Sequence, residues 1–244
     1  MNHENHENDE TGVVAVIIPA AGEGRRFGAS QPKQLTDLCG WPILAHTLSR
    51  FDQTVSVDRV VLAVPYGRVK QVREEVVEPY GFTKPCLVVE GGKTRQESVY
   101  EGFLALEDDV DLIVVHDGVR PLVRPSTIEA VIAEAREYGA AIAAIPMRDT
   151  LKRVTNGVIQ TTLPRDEIWQ AQTPQAFMRP ILAEAMAAAR REGFQGTDES
   201  VLVERTGHPV RVYHGTADNI KITSPEDLVL AEALIGSTAE GNHH

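Results

Sequence analysis

Five short apolar runs punctuate the first 145 residues of this chain, and each is continuous rather than alternating. They cover Val13 to Ile18, Val60 to Val64, Leu87 to Val89, Leu112 to Val115 and Ala140 to Ile145. A strand with one wet face alternates apolar and polar residues. A run that is apolar at every position must be covered on both faces, as in a mostly parallel sheet. Helical segments lie between the runs. Thr94 and Glu97 have the spacing of a capping box, with Val99, Phe103, Leu104 and Leu106 behind them. Ser126 and Glu129 repeat that spacing, Ile128, Val131, Ile132 and Ala135 form a stripe, and Gly139 ends it. Ser224, with Pro225 in the first turn, opens a last helix through Leu228, Ala231, Leu234 and Ile235. Strands alternating with helices predict one α/β domain over residues 12–236, doubly wound around a mostly parallel sheet. Residues 1–11 and 237–244 read as flexible polar tails.

One stretch, residues 149–174, breaks the alternation. Two β-rich runs flank Asn156-Gly157, a strong hairpin signal. Such an insertion either extends the sheet locally or projects as an arm toward another subunit, and the pattern alone does not choose.

Charge and cysteine usage narrow the partners. The net charge is −11, which disfavours nucleic acid and anionic membrane. No apolar run approaches the ~20 residues of a membrane span. The opening MNHENHENDE has neither a basic nor an apolar stretch, so neither a signal nor a transit peptide is expected. Cys39 and Cys86 stand in no ligand spacing and read as reduced thiols of a cytoplasmic protein.

The first apolar run enters Pro19-Ala20-Ala21-Gly22-Glu23-Gly24-Arg25-Arg26-Phe27-Gly28. Ligands of open α/β sheets bind beyond the carboxyl ends of strands, where small residues let backbone N–H groups approach closely. Arg25, Arg26 and Lys33 follow with no acid between Gly24 and Thr36. Small residues, cations and a strand exit together predict an anion site. It is not a dinucleotide fingerprint, because Phe27 holds the third glycine position and no acid ends the next strand at Ala63-Val64-Pro65. Gly92-Lys93-Thr94 mimics the end of a P-loop, but Leu87 stands where its first glycine belongs.

This loop, with Pro32-Lys33, resembles the signature of the sugar-nucleotidyltransferase superfamily. The segments VEGGKTRQESV, VHDGVRP, PMRDTLKRV, RDEIWQAQTPQAF, TDES and ADNIKIT follow in the order of the 2-C-methyl-D-erythritol 4-phosphate cytidylyltransferase family. The resemblance spans about residues 13 to 236 and implies a Rossmann-like nucleotidyltransferase fold with an inserted β-hairpin arm. It implies transfer of CMP from CTP to 2-C-methyl-D-erythritol 4-phosphate with release of pyrophosphate, a step of the non-mevalonate route to isoprenoids. The sibling ribitol-5-phosphate cytidylyltransferases are the alternative, but their loop commonly begins with two glycines where this chain has Ala20-Ala21. Two departures stand out: Gly118-Val119 replaces a common pair of alanines, and Lys93 lies where some members carry an acid.

In the implied reaction a phosphate monoester, already anionic, attacks the α-phosphorus of CTP. No general base is required, which accords with the lack of a Ser/His/Asp or Cys/His constellation. The difficulty is electrostatic, so cations, backbone donors and Mg²⁺ or another divalent ion are expected. Arg26 and Lys33 are the candidates for the triphosphate and transition state, with Arg25 at the surface. By the family pattern Ala20, Ala21, Gly22 and Gly24 hold the nucleotide, with Gly92 and Ser98 near the cytosine and ribose. Asp117, directly after an apolar run, is placed beside the metal and ribose, and His116 is read as structural. Lys221, between Ile220 and Ile222 on an expected strand, faces the site if the isoleucines enter the core. With Arg165 it would hold the sugar phosphate. Family members are homodimers, which implies that Thr150, Arg165 and Thr173 act across the interface. Asp198 and Asp218 are weaker candidates, with cap or turn roles equally open. The chain ends soon after its last helix, so a single activity is expected.

Overall fold

A computed structural model describes residues 12–22 and 32–240. In chain order its main elements are β1 (Val13–Pro19), β2 (Asp37–Leu38), β3 (Trp41–Pro42), α1 (Ile43–Asp52), β4 (Arg59–Val64), α2 (Val69–Val72), β5 (Cys86–Glu90), α3 (Arg95–Leu104), β6 (Val110–Val115), α4 (Pro125–Tyr138), β7 (Ala140–Pro146), β8 (Lys152–Thr155), β9 (Val158–Thr162), β10 (Trp169–Met178), α5 (Arg179–Glu192), α6 (Glu199–Arg205), β11 (Arg211–His214) and α7 (Pro225–Glu240). Seven strands form one sheet in the order β11-β7-β10-β6-β1-β4-β5. β10 runs antiparallel to both neighbours and every other pairing is parallel.

Both faces of the sheet's centre are covered, as the continuous runs require, but at the edge strand β5 one face is open and Leu87 is 44% exposed. Along β1, Val14, Val16 and Ile18 pack with Leu48 and Phe51 of α1 and Ile128 and Val131 of α4. The intervening Ala15 and Ile17 pack with Val99 of α3, Leu182 and Met186 of α5, and Leu202 of α6. Successive side chains thus enter opposite layers, and neither can be polar without stranding that group in apolar surroundings. A third cluster joins Leu38, Ile43, Val119, Ile222 and Ala231, and seats α7 beside the end of β6.

Local signals are mostly obeyed. Thr94 accepts from the Glu97 N–H at 3.1 Å and the Glu97 carboxylate accepts from the Thr94 N–H at 3.2 Å, which closes the capping box of α3. The box expected at Ser126 and Glu129 does not form. Pro125, with its fixed φ, opens α4 two residues earlier than a cap at Ser126 would, and Glu129 accepts instead from the Ser56 N–H at 3.0 Å. The last helix runs on to Glu240, past the boundary expected at 236. Asn156 and Gly157, at φ 49° and 77°, make the two-residue turn between β8 and β9. This hairpin pairs only with itself and is exposed along both strands, so it does not extend the main sheet, whereas residues 169–174 of the expected 149–174 insertion belong to β10 inside that sheet. Cys39 and Cys86 are free thiols, and burial pushes Cys86 up to about 12, which leaves it unreactive.

Helix α3 sits unusually close to β1. A Cβ on Gly102 would lie 2.5 Å from Cγ2 of the fully buried Ile17. Gly102→Ala should therefore destabilise the fold by about 1–3 kcal/mol through overpacking, even though alanine favours the helix by about 1 kcal/mol. Denaturant unfolding measures this, and an unchanged or raised midpoint would show that the helix shifts freely.

Candidate active site

From β1 the chain steps outward to β4 and β5, then returns across β1 to β6. The winding reverses between the ends of β1 and β6, which is where open α/β sheets bind ligands. A pocket opens there. The end of β1 and the loop after it supply Pro19, Ala21 and Gly22, the loop after β5 supplies Gly92 to Thr94, α3 supplies Arg95 and Ser98, the segment after β6 supplies Asp117 to Val119, and Lys33, Gln34 and Lys221 complete the wall.

Each wall is held by contacts within the protein. Gln34 is buried, and its amide donates to the carbonyls of Ala20 at 2.8 Å and Gly22 at 3.0 Å, which fixes the first loop. The Ala20 N–H donates to Ala63 at 2.7 Å, so Ala20 has its N–H and carbonyl engaged internally and shapes the loop rather than lining the pocket. Ser98 donates to the Thr94 carbonyl at 2.8 Å at the start of α3. A Cβ on Gly92 would collide with the Glu97 side chain at 2.2 Å, so the turn after β5 excludes larger residues even before a ligand arrives.

Asp117 lies at the centre. Its Oδ1 accepts from Arg95 Nε at 2.9 Å, and its Oδ2 faces Lys221 Nζ at 2.8 Å and Arg120 Nε at 3.5 Å. Burial pushes its carboxyl upward, but Arg95, Lys221 and Arg120 outweigh burial and hold it far below the usual carboxylate range. Arg95 also donates through Nη1 to both oxygens of Glu199 at 2.8 Å, and Glu199 is only 1% exposed. Burial lifts the Glu199 carboxyl above its ordinary value, against the pull of Arg95.

Lys221 does not sit on a strand. Residues 219–223 are irregular, yet the expected alternation survives by other means. The Asn219 amide donates to the Thr173 carbonyl at 2.8 Å, and the Asn219 carbonyl accepts from Arg120 at 2.7 Å. Immediately after Lys221, buried Ile222 donates its N–H to the Val119 carbonyl at 2.9 Å. Anchored on both sides, Lys221 is turned toward Asp117.

The other candidates divide. Thr173 is buried within the chain, and its hydroxyl accepts from the Asp117 N–H at 3.1 Å, so it braces the nearby pocket. Thr150 and Arg165 are exposed at the base of the arm and do not line the pocket, and Arg165 donates to the Arg148 carbonyl at 3.0 Å. Asp198 caps α6 and Asp218 pairs with Arg124, so both do structural work. His116 is fully buried, with Nε2 3.1 Å from the Arg120 carbonyl. Gly24, Arg25 and Arg26 lie outside the described residues. Arg95, Arg120, Glu199, Asn219 and Gln34 were not singled out by sequence reasoning, although all but Gln34 stand inside the quoted motifs.

The residues around Asp117 do not fit a divalent ion bound directly to it. Both carboxylate oxygens face cations, and the described residues contain no group of three His, Cys, Asp or Glu placed to hold a metal. Nor is any described helix long and apolar enough to cross a membrane.

A doubly wound sheet with small-residue loops and two lysines at its switch point defines a nucleotidyltransferase. The sequence profile described as IspD, 2-C-methyl-D-erythritol 4-phosphate cytidylyltransferase, matches residues 14–237. The chain belongs to that family. It is 46% identical over 223 residues to the 2-C-methyl-D-erythritol 4-phosphate cytidylyltransferase of Syntrophus aciditrophicus, covering 91% of this chain and 95% of the relative. The Geobacter metallireducens enzyme of the same name is 46% identical over 225 residues, with 91% and 97% covered. Among solved structures, the Thermus thermophilus enzyme of that name superposes with TM-score 0.76 at 36% identity, covering 91% of this chain and 98% of that one. The 4-diphosphocytidyl-2C-methyl-D-erythritol synthase of Anaerococcus prevotii superposes with TM-score 0.81 at 29% identity, covering 92% and 99%. None of these relatives favours the ribitol phosphate alternative.

Burial holds His116 down at about 4, so it is neutral in the folded protein through the neutral range. The unfolded chain takes up this proton near pH 6.5, whereas the folded chain does so only near pH 4. The His116 contribution is therefore complete above pH 6.5 and is lost as pH falls, by up to about 3 kcal/mol. Unfolding free energies across this window should show a shallower slope in His116→Gln, and an identical slope would place the proton uptake elsewhere.

Proposed function

We propose that this chain transfers CMP from CTP to 2-C-methyl-D-erythritol 4-phosphate, releasing pyrophosphate and forming 4-diphosphocytidyl-2-C-methyl-D-erythritol. The observation that carries this reading is the pairing of Lys33 and Lys221 in one pocket at the sheet's switch point, with small-residue loops opposite them. Membership of the cytidylyltransferase family supplies the substrate class.

The acceptor phosphate is its own nucleophile. What the protein must supply is alignment of two anions and neutralisation of the charge that develops on the α-phosphate. Ala21, Gly22 and Gly92 bound the nucleotide side, with Gly24 completing the loop, and Ser98 fixes the turn beneath the base and ribose. Arg26 and Lys33 act on the triphosphate. Lys221 takes the acceptor phosphate, and Asp117 orients that lysine. Mg²⁺, or another divalent cation, enters as the counter-ion of CTP and is carried by its phosphates. The enzyme works as a cytoplasmic homodimer in which the exposed arm brings Thr150 and Arg165 to the neighbour's acceptor site. Val154, Val158 and Ile159 on that arm are 53–61% exposed, apolar area that a second copy would cover.

Turnover with CTP and each acceptor tests the activity. Methylerythritol phosphate should be preferred over ribitol 5-phosphate by at least about 100-fold in kcat/KM, the order of discrimination an enzyme reaches between related substrates. Equal use of the two, or preference for ribitol 5-phosphate, would overturn the assignment.

The shared site has its own test. Lys33→Ala and Arg165→Ala homodimers should each lose about 100-fold or more in turnover with the fold intact. Refolded together, they should regain roughly a quarter of wild-type activity, because half the dimers are mixed and each mixed dimer has one intact site. Mixtures no more active than the separate variants would exclude an arm that serves its neighbour.

A further inference from the structure

Glu199 is a buried carboxylate that the reaction above does not use. It opens α6, is 1% exposed, and spends both oxygens on Arg95 Nη1 at 2.8 Å. The same guanidinium gives Asp117 a single bond from Nε, at 2.9 Å. Around Asp117 there are two carboxylates for three cations: Asp117 and Glu199 against Arg95, Arg120 and Lys221.

We infer that Glu199 is a positioning residue for Lys221, because by holding Arg95 aside it leaves Oδ2 of Asp117 to the lysine. The inference rests on the proposed acceptor role of Lys221.

The competition can be ranked. A guanidinium released from Glu199 can bring a two-point fork to Asp117, the strongest geometry available to a carboxylate and a cation. Lys221 offers one ammonium on a flexible stem, and its side chain is 41% exposed, so water readily replaces its partner. Arg95 is only 26% exposed and has no comparable escape to solvent. Of the two, the lysine yields. Arg120 does not relieve the contest, since its Nη1 is committed to the Asn219 carbonyl at 2.7 Å and its Nε stands 3.5 Å from Asp117. Glu199 can do this at a distance because Asp198 fixes its helix. Asp198 caps α6 by accepting from the Val201 N–H at 3.2 Å, and it also accepts from Gln175 of β10 at 2.8 Å.

Glu199→Gln, and the double variant Arg95→Met/Glu199→Gln, separate positioning from folding. In Glu199→Gln the KM for methylerythritol phosphate should rise about tenfold while that for CTP changes less than about twofold, a split expected when one phosphate contact is lost. The double variant removes the competitor, so its acceptor KM should fall back to within about threefold of wild type. Competitive amine labelling reads Lys221 without any acceptor. The lysine should label several-fold faster in Glu199→Gln than in wild type, and the excess should vanish in the double variant. An unchanged acceptor KM together with unchanged labelling, a double variant no better than the single one, or failure of both variants to fold would overturn the inference. Inactivity of the wild type toward methylerythritol phosphate would instead overturn the proposed function, and the labelling result would still decide the role of Glu199.

Discussion

A carboxylate taken out of water must be matched by positive charge or it takes up a proton, and Asp117 meets that condition with three cations from three parts of the chain. Arg95 comes from the helix after β5, Arg120 from the turn after β6, and Lys221 from the irregular segment before α7. Asp117 itself sits at the carboxyl end of β6, where the winding reverses. The carboxylate therefore fixes where three otherwise independent segments meet. Much of the surrounding hydrogen bonding serves that meeting: Thr173 receives the Asp117 N–H, and Asn219 links Thr173 to Arg120.

The central sheet was legible because it is buried on both faces. Burial on two sides leaves every position apolar, and a continuous apolar run survives in the sequence without any knowledge of what covers it. The helix starts were less secure, because a capping box is a spacing of common residues. At Thr94 the spacing reports a real cap. At Ser126 the same spacing is overridden by Pro125, whose fixed φ starts the helix two residues sooner, and Glu129 is drawn to Ser56 by tertiary packing. The hairpin turn was equally plain, since left-handed conformations at two successive positions select Asn-Gly.

The site was legible only where a single segment carries the signal. Lys33, Gly22, Gly92, Ser98, Asp117 and Lys221 converge on one pocket. A threonine near an arm gives no sign of which way its hydroxyl points, and the hydroxyl of Thr173 accepts from the Asp117 N–H. Arg95 and Glu199 were not recognisable as partners at all. They stand 104 residues apart, and neither an arginine on a first helical turn nor a glutamate at another helix start is unusual alone. Charge pairs of this kind are written in the fold and not in local pattern.

The pairing also explains how a chain of net charge −11 can keep a cationic pocket ready. Unmatched cations packed together in a protein interior would repel one another, lose hydration and release protons or swing outward. Two carboxylates prevent this while no substrate is bound: Asp117 in the pocket wall, and Glu199, buried and outside the lining. Among the described residues the network has one more cation than carboxylates, with Lys33 in the same pocket, a local charge of the sign an anionic ligand requires. An arriving phosphate does not need to displace the buried Arg95–Glu199 pair, which would be costly. It needs only a further donor of Lys221, the most exposed cation of the group, whose ammonium has three and can keep its contact with Asp117. Preorganisation and binding are thereby assigned to different cations of one network: the buried arginine stays fixed, and the half-exposed lysine, held by Asp117, meets the incoming anion.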